Sequence, residues 1–290
     1  MIAPLLYYIF IFPITRLPFR VIYVLSDFLY YLIYYLIRYR RKVVFQNLNN
    51  SFPKKSPDEI KKIAKAFYRH FCDLIVESFK MFSISEEELK KRFVFKDKKI
   101  IEQLYSQNRN VILAGGHYNN WEVFAVACKL GFSHKCLALY KPLENRWFDK
   151  KMRESRSRFG LNMWPIKQAK EMFEHEKNNL TVAVFAMDQS PSKASRCHWM
   201  KFLNQDSGVS FGPEKYAKEN NSAVVYGRII KTKRGHYHFE SELVTASPQN
   251  EPHGQILETL MKHLEADIIS QPEFWLWTHK RWKRKKPDNF

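Results

Sequence analysis

Asn110-Val111-Ile112-Leu113-Ala114-Gly115-Gly116-His117-Tyr118-Asn119-Asn120-Trp121-Glu122 is the stretch whose reading settles the fold class. Four consecutive apolar residues followed by two glycines read as a buried strand running into a tight turn. Beyond the turn, residues 119–131 read as a helix that stops at Gly131. Strand, turn and helix in that order are half of a βαβ unit, which predicts parallel neighbouring strands covered by helices.

The same alternation continues towards the C-terminus. Residues 135–142 (KCLALYKP) read as a second strand, 143–160 as a basic helix with a glycine stop, and 180–189 (LTVAVFAMDQ) as a third strand. Residues 222–232 and 236–244 read as a strand pair linked by Lys233-Arg234-Gly235, and 254–270 as a long helix. Towards the N-terminus, residues 43–93 read as helical. Ser56 with Glu59 three residues later makes a capping box, with Pro57 at the first helical position. Ile60, Ile63, Ala64, Phe67, Phe71 and Leu74 then recur at helical spacing. The expected fold is α/β, with a mixed, largely parallel sheet flanked by helices.

The first forty residues are different. Residues 1–15 are apolar and interrupted by Pro4 and Pro13, and Val21–Ile37 is an apolar run with Asp27 inside it. As a helix the run is ~26 Å long, against ~30 Å of hydrocarbon in a bilayer. Either it is a buried core helix or it is a membrane anchor. Its many tyrosines favour an anchor, spanning the bilayer or lying in its interface. Arg38, Arg40, Arg41 and Lys42 follow it, as basic residues flank the cytoplasmic end of an anchor. A secretory signal peptide fits poorly, because no Lys or Arg precedes the run. Two regions are expected: residues 1–42 as anchor, and 43–290 as one domain.

Lys and Arg number 48 against 29 Asp and Glu, a net charge of +19, which favours an anionic partner. Nucleic acid, an anionic membrane and a small acidic substrate or carrier all fit that sign. Residues 279–286 (HKRWKRKK) are a basic run of the phosphate-contacting kind. An anchor at the other end argues against nucleic acid and for lipid head groups. The four cysteines form no CxxC pair, and neither Cys197-His198 nor His236-x-His238 has further ligands at useful spacing, so no metal site or cofactor is expected.

The glycine turn carries the chemistry. Strand ends are where sites form in α/β sheets. His117 and Glu122 are in an H-x4-E spacing, too far out of phase to meet on one helix. They can meet if His117 lies in the turn, which the glycines permit, and Glu122 lies in the first helical turns. A carboxylate on one ring nitrogen would fix the tautomer and leave the other to take a proton from a hydroxyl. The alternative makes His117 a capping residue and Glu122 a solvated one. That chemistry also requires a pocket beside His117, continuing into an apolar groove with a basic mouth.

Residues 115–122 (GGHYNNWE) resemble the H-x4-[DE] block of the lipid A biosynthesis (lauroyl/myristoyl-type) acyltransferases. Further segments resemble that family in order: 41–60, with Asn47-Leu48 and Phe52-Pro53; 139–160, where Lys141 replaces a commoner Arg; 185–191; 202–225; and 271–283, the closing block of Trp and basic residues. The resemblance implies a glycerolipid acyltransferase-like αβ fold behind one N-terminal membrane segment. It implies transfer of a fatty acyl group, from acyl carrier protein or acyl-CoA, to a lipid hydroxyl, with a lipid A precursor first among acceptors. The expected location is the inner membrane of a Gram-negative bacterium, facing the cytoplasm. By the same resemblance His117 is the general base and Glu122 its partner. Arg156 is a candidate for oxyanion or phosphate contact, the alternative being a solvated helix-face arginine. Asp188 and Gln189 end a strand on the site side as candidate substrate-binding residues, and Asp188 either orients a polar group or caps the next turn, the latter preferred. Two alternatives stand beside this expectation: an acyltransferase for a lysophospholipid or aminolipid, and a non-catalytic protein that binds membrane surfaces or anionic ligands.

Overall fold

The computed structural model of the chain describes residues 2–287. Nine strands form among them: β1 (Phe93–Phe95), β2 (Val111–Gly115), β3 (Lys135–Tyr140), β4 (Asn162–Pro165), β5 (Thr181–Ala186), β6 (His198–Phe202), β7 (Gln205–Val209), β8 (Ala223–Lys233) and β9 (His236–Thr245). Seven make one sheet in the order β1-β9-β8-β2-β5-β3-β4. Only the β8–β9 pair is antiparallel; every other neighbouring pair is parallel. The mixed, largely parallel sheet is therefore present as expected, and β2 lies near its middle.

Alternation along β2 builds two cores. Ile112 and Ala114 face one side, with Val224, Leu257, Leu260 and Leu264. Val111 and Leu113 face the other, with Val123, Phe124, Ala127 and Val225. Successive strand side chains point to opposite faces, so a strand apolar at every position needs helices on both. The helix Gln255–Ser270 covers the first face and the helix Trp121–Gly131 the second. The capping box at Ser56 forms and opens the helix Pro57–Lys80.

Three features were not expected from the sequence. Strands β1 and β4 are only three and four residues long and carry little periodicity. The separate β6–β7 hairpin turns on Leu203 and Asn204, with φ of 50° and 63°. Two residues with positive φ are the mark of a tight hairpin turn, but Leu-Asn lacks the glycine that announces one. The N-terminal helix does not break at its prolines either. It accommodates Pro13 after a widened π-type segment, Tyr7–Ile11, and breaks instead at Leu17-Pro18. Proline is tolerated where its missing N–H and ring displace no needed hydrogen bond.

Phe19–Ile37 is a 19-residue helix long and apolar enough to cross a membrane, with a mean hydropathy of 1.4 over its best window. Only 22% of that window is buried, so it is a surface helix and not a core helix. It is a candidate membrane anchor. Asp27, a cost inside an apolar run, meets Arg234 at 2.6 Å.

Candidate active site

Sheet register places His117. In the parallel β2–β5 pair, Gly115 lies opposite Ala186, and the backbone N–H of Met187 continues the ladder to the Gly115 carbonyl. Two residues beyond that pair on each strand stand His117 and Asp188. The Nδ1 of His117 lies 2.6 Å from Asp188 Oδ1, and its backbone N–H donates to Oδ2 at 2.8 Å. Trp275 Nε1 donates to the same Oδ2 at 2.7 Å. The Asp188 carboxylate is buried and takes three donors.

The two glycines serve close approach rather than unusual dihedrals. A Cβ on Gly115 would stand 2.7 Å from the carbonyl oxygen of Gly227, and one on Gly116 would meet the Leu264 methyls and crowd Asp188. The residue that adopts a left-handed conformation in this turn is Asn119, at φ 54°. Asparagine tolerates that region better than most side chains. Its side chain donates to the Ile229 carbonyl, and its backbone N–H to that of Phe274. Asn120 then caps the helix Trp121–Gly131, accepting from the Val123 N–H at 3.0 Å. Its amide nitrogen donates to the buried carboxylate of Glu77, which also accepts from Tyr23 and Tyr237 at 2.9 and 2.8 Å. Buried in this way, Glu77 has its pKa pushed up, and the neighbouring Asp73 pushes it the same way.

With a carboxylate on Nδ1, that nitrogen carries the ring proton and Nε2 is the free base. The Nε2 accepts from the side-chain amide of Gln189 at 3.1 Å, and Gln189 is itself exposed. The edge of Trp121 packs on the ring at 5.1 Å. Burial works against a charged imidazole here. The nearby Asp188 and Glu122 carboxylates outweigh it, and the pKa of His117 is raised above the ordinary histidine value. Burial would likewise raise Asp188, but the His117 ring and the Trp275 donor hold its carboxyl down at about 2.

Glu122 is not the group bonded to His117. It is held by Arg156, whose Nε and Nη2 donate to its two oxygens at 2.9 and 2.6 Å. The expected His117–Glu122 hydrogen bond is replaced by His117–Asp188, because the helix start carries Glu122 across to the helix Arg146–Arg156, while register carries Asp188 to the imidazole. Glu122 acts on His117 through its charge alone. Asp188 is the orienting group and not merely a turn cap. Arg156 is half-buried in its ion pair rather than solvated. All five residues singled out from the sequence, His117, Glu122, Arg156, Asp188 and Gln189, gather at one end of the sheet in a different pairing.

From the sequence, the basic run within the closing block was expected to contact lipid phosphates; its support of this site was not expected. Besides Trp275, the His279 Nε2 accepts from the Ser190 N–H at 3.1 Å, and burial pushes its pKa down to about 4. Arg281 is buried and donates to the Gly208 carbonyl at 2.7 Å. Asn47, in the segment after the apolar run, donates to the carbonyls of Trp277 and His279. Half of the basic run is thus docked against the domain. Two cavities, of about 220 and 460 Å³, lie elsewhere, the second lined by Lys201, Trp282, Arg284 and Lys286. Neither is lined by His117, so neither is the pocket expected there. No cluster of three or more His, Cys, Asp or Glu side chains is placed to hold a metal ion among the described residues.

The model of a family described as bacterial lipid A biosynthesis acyltransferase matches residues 1–284. The chain is similar to a lipid A biosynthesis lauroyltransferase of Escherichia coli (strain K12), 23% identical over 289 residues that cover 94% of this chain and 88% of the relative. It is also similar to a lipid A biosynthesis palmitoleoyltransferase of the same organism and to a lipid A biosynthesis acyltransferase of Shigella flexneri. Each is 20% identical over 251 residues, covering 86% of this chain and 80% of the relative.

Proposed function

The chain belongs to the bacterial lipid A biosynthesis acyltransferase family, and on that premise we propose that it moves a fatty acyl group from a thioester donor to a hydroxyl of a lipid A precursor, with His117 as general base. Acyl carrier protein is the proposed donor, with acyl-CoA as the alternative thioester; its acidity suits a chain of net charge +19. Residues 1–42 hold the enzyme to the inner membrane of a Gram-negative cell, and residues 43–290 carry the chemistry on the cytoplasmic face.

One observation carries the reading: the His117 imidazole is fixed through Nδ1 by a buried carboxylate, and its Nε2 is held only by the amide of an exposed side chain. The acceptor hydroxyl displaces Gln189 and gives its proton to Nε2 while its oxygen attacks the thioester carbonyl. The resulting tetrahedral oxyanion collapses, the carbon–sulfur bond breaks, and the leaving thiolate takes the proton back from the imidazolium. Asp188 stabilises that imidazolium without being protonated itself. Arg156, fixed by Glu122 through two of its three nitrogens, turns towards the anionic oxygen or a substrate phosphate with the third.

The lipid acceptor also suits the site's surroundings. Trp147 packs on Tyr7 and Tyr8 of the N-terminal helix, at 5.2 and 6.2 Å. Arg156 lies on the same helix as Trp147, nine residues on, roughly 14 Å along the axis. The helix that carries Arg156 to the site thus also touches the N-terminal helices, where a lipid head group would lie.

The test is an assay of acyl transfer from acyl carrier protein to a lipid A precursor, comparing the natural protein with His117→Ala. Loss of ~100- to 10,000-fold is expected, the usual cost of removing a general base. Near-normal turnover by a folded variant would reject the mechanism.

A further inference from the structure

We propose that the helix Phe19–Ile37 lies in the plane of the membrane surface, seated on anionic lipid, and does not cross the bilayer. The proposal rests on the membrane attachment proposed above and deepens it.

The first observation is what the helix packs against. It runs antiparallel along the helix Pro57–Lys80. Lys80 Nζ sits over the Phe19 ring at 5.6 Å, Tyr23 donates to Glu77 at 2.9 Å, Ser26 to Asp73 at 2.8 Å, and the Arg69 guanidinium covers Tyr30 at 5.1 Å. Tyr34 meets the edge of Tyr68 at 5.2 Å. Residue numbers rise on one helix as they fall on the other, from Phe19 to Tyr34, roughly 22 Å of contact. Arg234 joins from the β8–β9 turn, bridging Asp27 and Asp73. A helix docked in this way cannot cross a bilayer alone. It would draw Arg69, Asp73, Glu77, Lys80 and Arg234 through the hydrocarbon with it, and ionisable groups at that depth are costly.

The second observation is which face is left outside. Ile22, Ser26, Tyr30 and Tyr34, four residues apart, are buried against the domain. Val21, Val24, Leu25, Phe28, Tyr31 and Tyr35 are exposed, with Val24 and Phe28 at 68% and 69%. The buried side is mainly aromatic and aliphatic, with Ser26 among it, and the outward side is apolar as well apart from Asp27, unlike a surface helix facing water. Leu5, Leu6, Ile9 and Phe10 of the preceding helix are exposed as well. One outward apolar face suits a monolayer that it enters sideways.

The third observation concerns charge. A spanning anchor carries its basic excess on one side of the membrane. Here exposed Arg16 and Arg20 stand at one end of the helix, and exposed Arg38 and Lys42 at the other. Basic residues at both ends suit a helix whose two ends lie at one anionic surface.

Labelling in membranes tests this. All four native cysteines are buried, so a cysteine introduced at an exposed site is the reactive one. Arg20→Cys and Lys42→Cys replace exposed side chains that make no ion pair or side-chain hydrogen bond among the described residues, and retained acyl transfer shows that each variant is folded. A membrane-impermeant maleimide is applied to spheroplasts and to inverted inner-membrane vesicles. Both variants are expected to label in the inverted vesicles and neither in spheroplasts. Labelling of the two from opposite sides overturns the in-plane helix and leaves the membrane attachment standing. Recovery of both in the soluble fraction overturns the attachment and this proposal with it.

Discussion

Two carboxylates flank His117, and they are held by different parts of the molecule. Asp188 stands at the end of a central strand, buried, with three donors converging on it. Glu122 stands in the first turn of a helix, half-buried, with both oxygens taken by one arginine. A strand end is located by the ladder of its neighbours, so the register of β2 and β5 places Asp188 beside His117, each two residues past the last pair. A helix start is located by its cap and packing, so Glu122 is set by Asn120 and by the helix that carries Arg156. In the proposed mechanism the strand-held carboxylate orients the base, and the arginine-held one belongs to the pair assigned to the developing negative charge. Preorganisation is most valuable at the proton-accepting ring, where a small misplacement is expensive in rate.

Asp188→Asn should break the comparison most severely. The amide keeps the shape but removes the charge that stabilises the imidazolium, so kcat/KM should fall by ~100- to 10,000-fold. The pH profile gives a second readout. Asp188 is one of the groups that raise the His117 pKa, and in the proposed mechanism the neutral ring is the active form. Activity therefore rises with pH through that pKa, and the acid limb of the variant should lie at lower pH than that of the natural protein. Stability follows with its own sign. A carboxyl at about 2 in the folded state stabilises the protein above the ordinary value of about 4, and that contribution is lost as pH falls towards 2. Denaturation midpoints of the two proteins should converge under strong acid. An unchanged acid limb would mean that Asp188 does not act on the base.

Glu122→Gln should cost less. It removes a bidentate, charge-assisted pair but leaves His117 bound to Asp188. Hydrogen bonds to charged groups contribute ~1.5–3 kcal/mol, so a loss of roughly 10- to 100-fold is expected, since ~1.4 kcal/mol is tenfold in rate. The acid limb should again shift downwards, by less than in Asp188→Asn, because Glu122 raises the ring's pKa only through space. A larger loss than that of Asp188→Asn would reverse the roles assigned to the two carboxylates.

Much of this arrangement could be read from local sequence, and the pairing could not. The run Val111–Gly115, the helix ending at Gly131 and the β8–β9 pair follow from periodicity and glycine stops, which act over a few residues. His117 and Glu122 were visible because they lie five residues apart in one motif. Asp188 lies 71 residues from His117, and only knowledge that β2 and β5 are neighbours in register brings them together. Nothing in a single chain of strands and helices states the strand order. Trp275 was hidden for the same reason, lying 87 residues beyond Asp188 in a segment with no regular period. Its indole donor is the kind of group that must find a partner when buried, and Asp188 is that partner. The docking of one side of Phe19–Ile37 on the domain, with an apolar side left outward, was equally out of reach. An apolar run with one aspartate reads as an anchor with a flaw until Arg234 is placed beside Asp27.

The smallest expected effect tests the last contact on the ring. Gln189 lies against Nε2, the proton acceptor in the proposed mechanism, so in that mechanism its amide occupies the place of the acceptor hydroxyl. Removing it in Gln189→Ala takes away a competitor but also a neutral hydrogen bond of ~0.5–1.5 kcal/mol, which bounds the change in rate to about tenfold. The direction of the pH shift is the sharper measurement. A donor to Nε2 stabilises the neutral ring and so holds the His117 pKa down. Without it the pKa should rise, and the acid limb of activity should move to higher pH, opposite to the shift expected for Asp188→Asn. Titration of the ring by NMR in the two variants should show the same opposition. If both variants shift the same way, Gln189 is not a donor to the unprotonated nitrogen, and the assignment of Nε2 as the base fails with it.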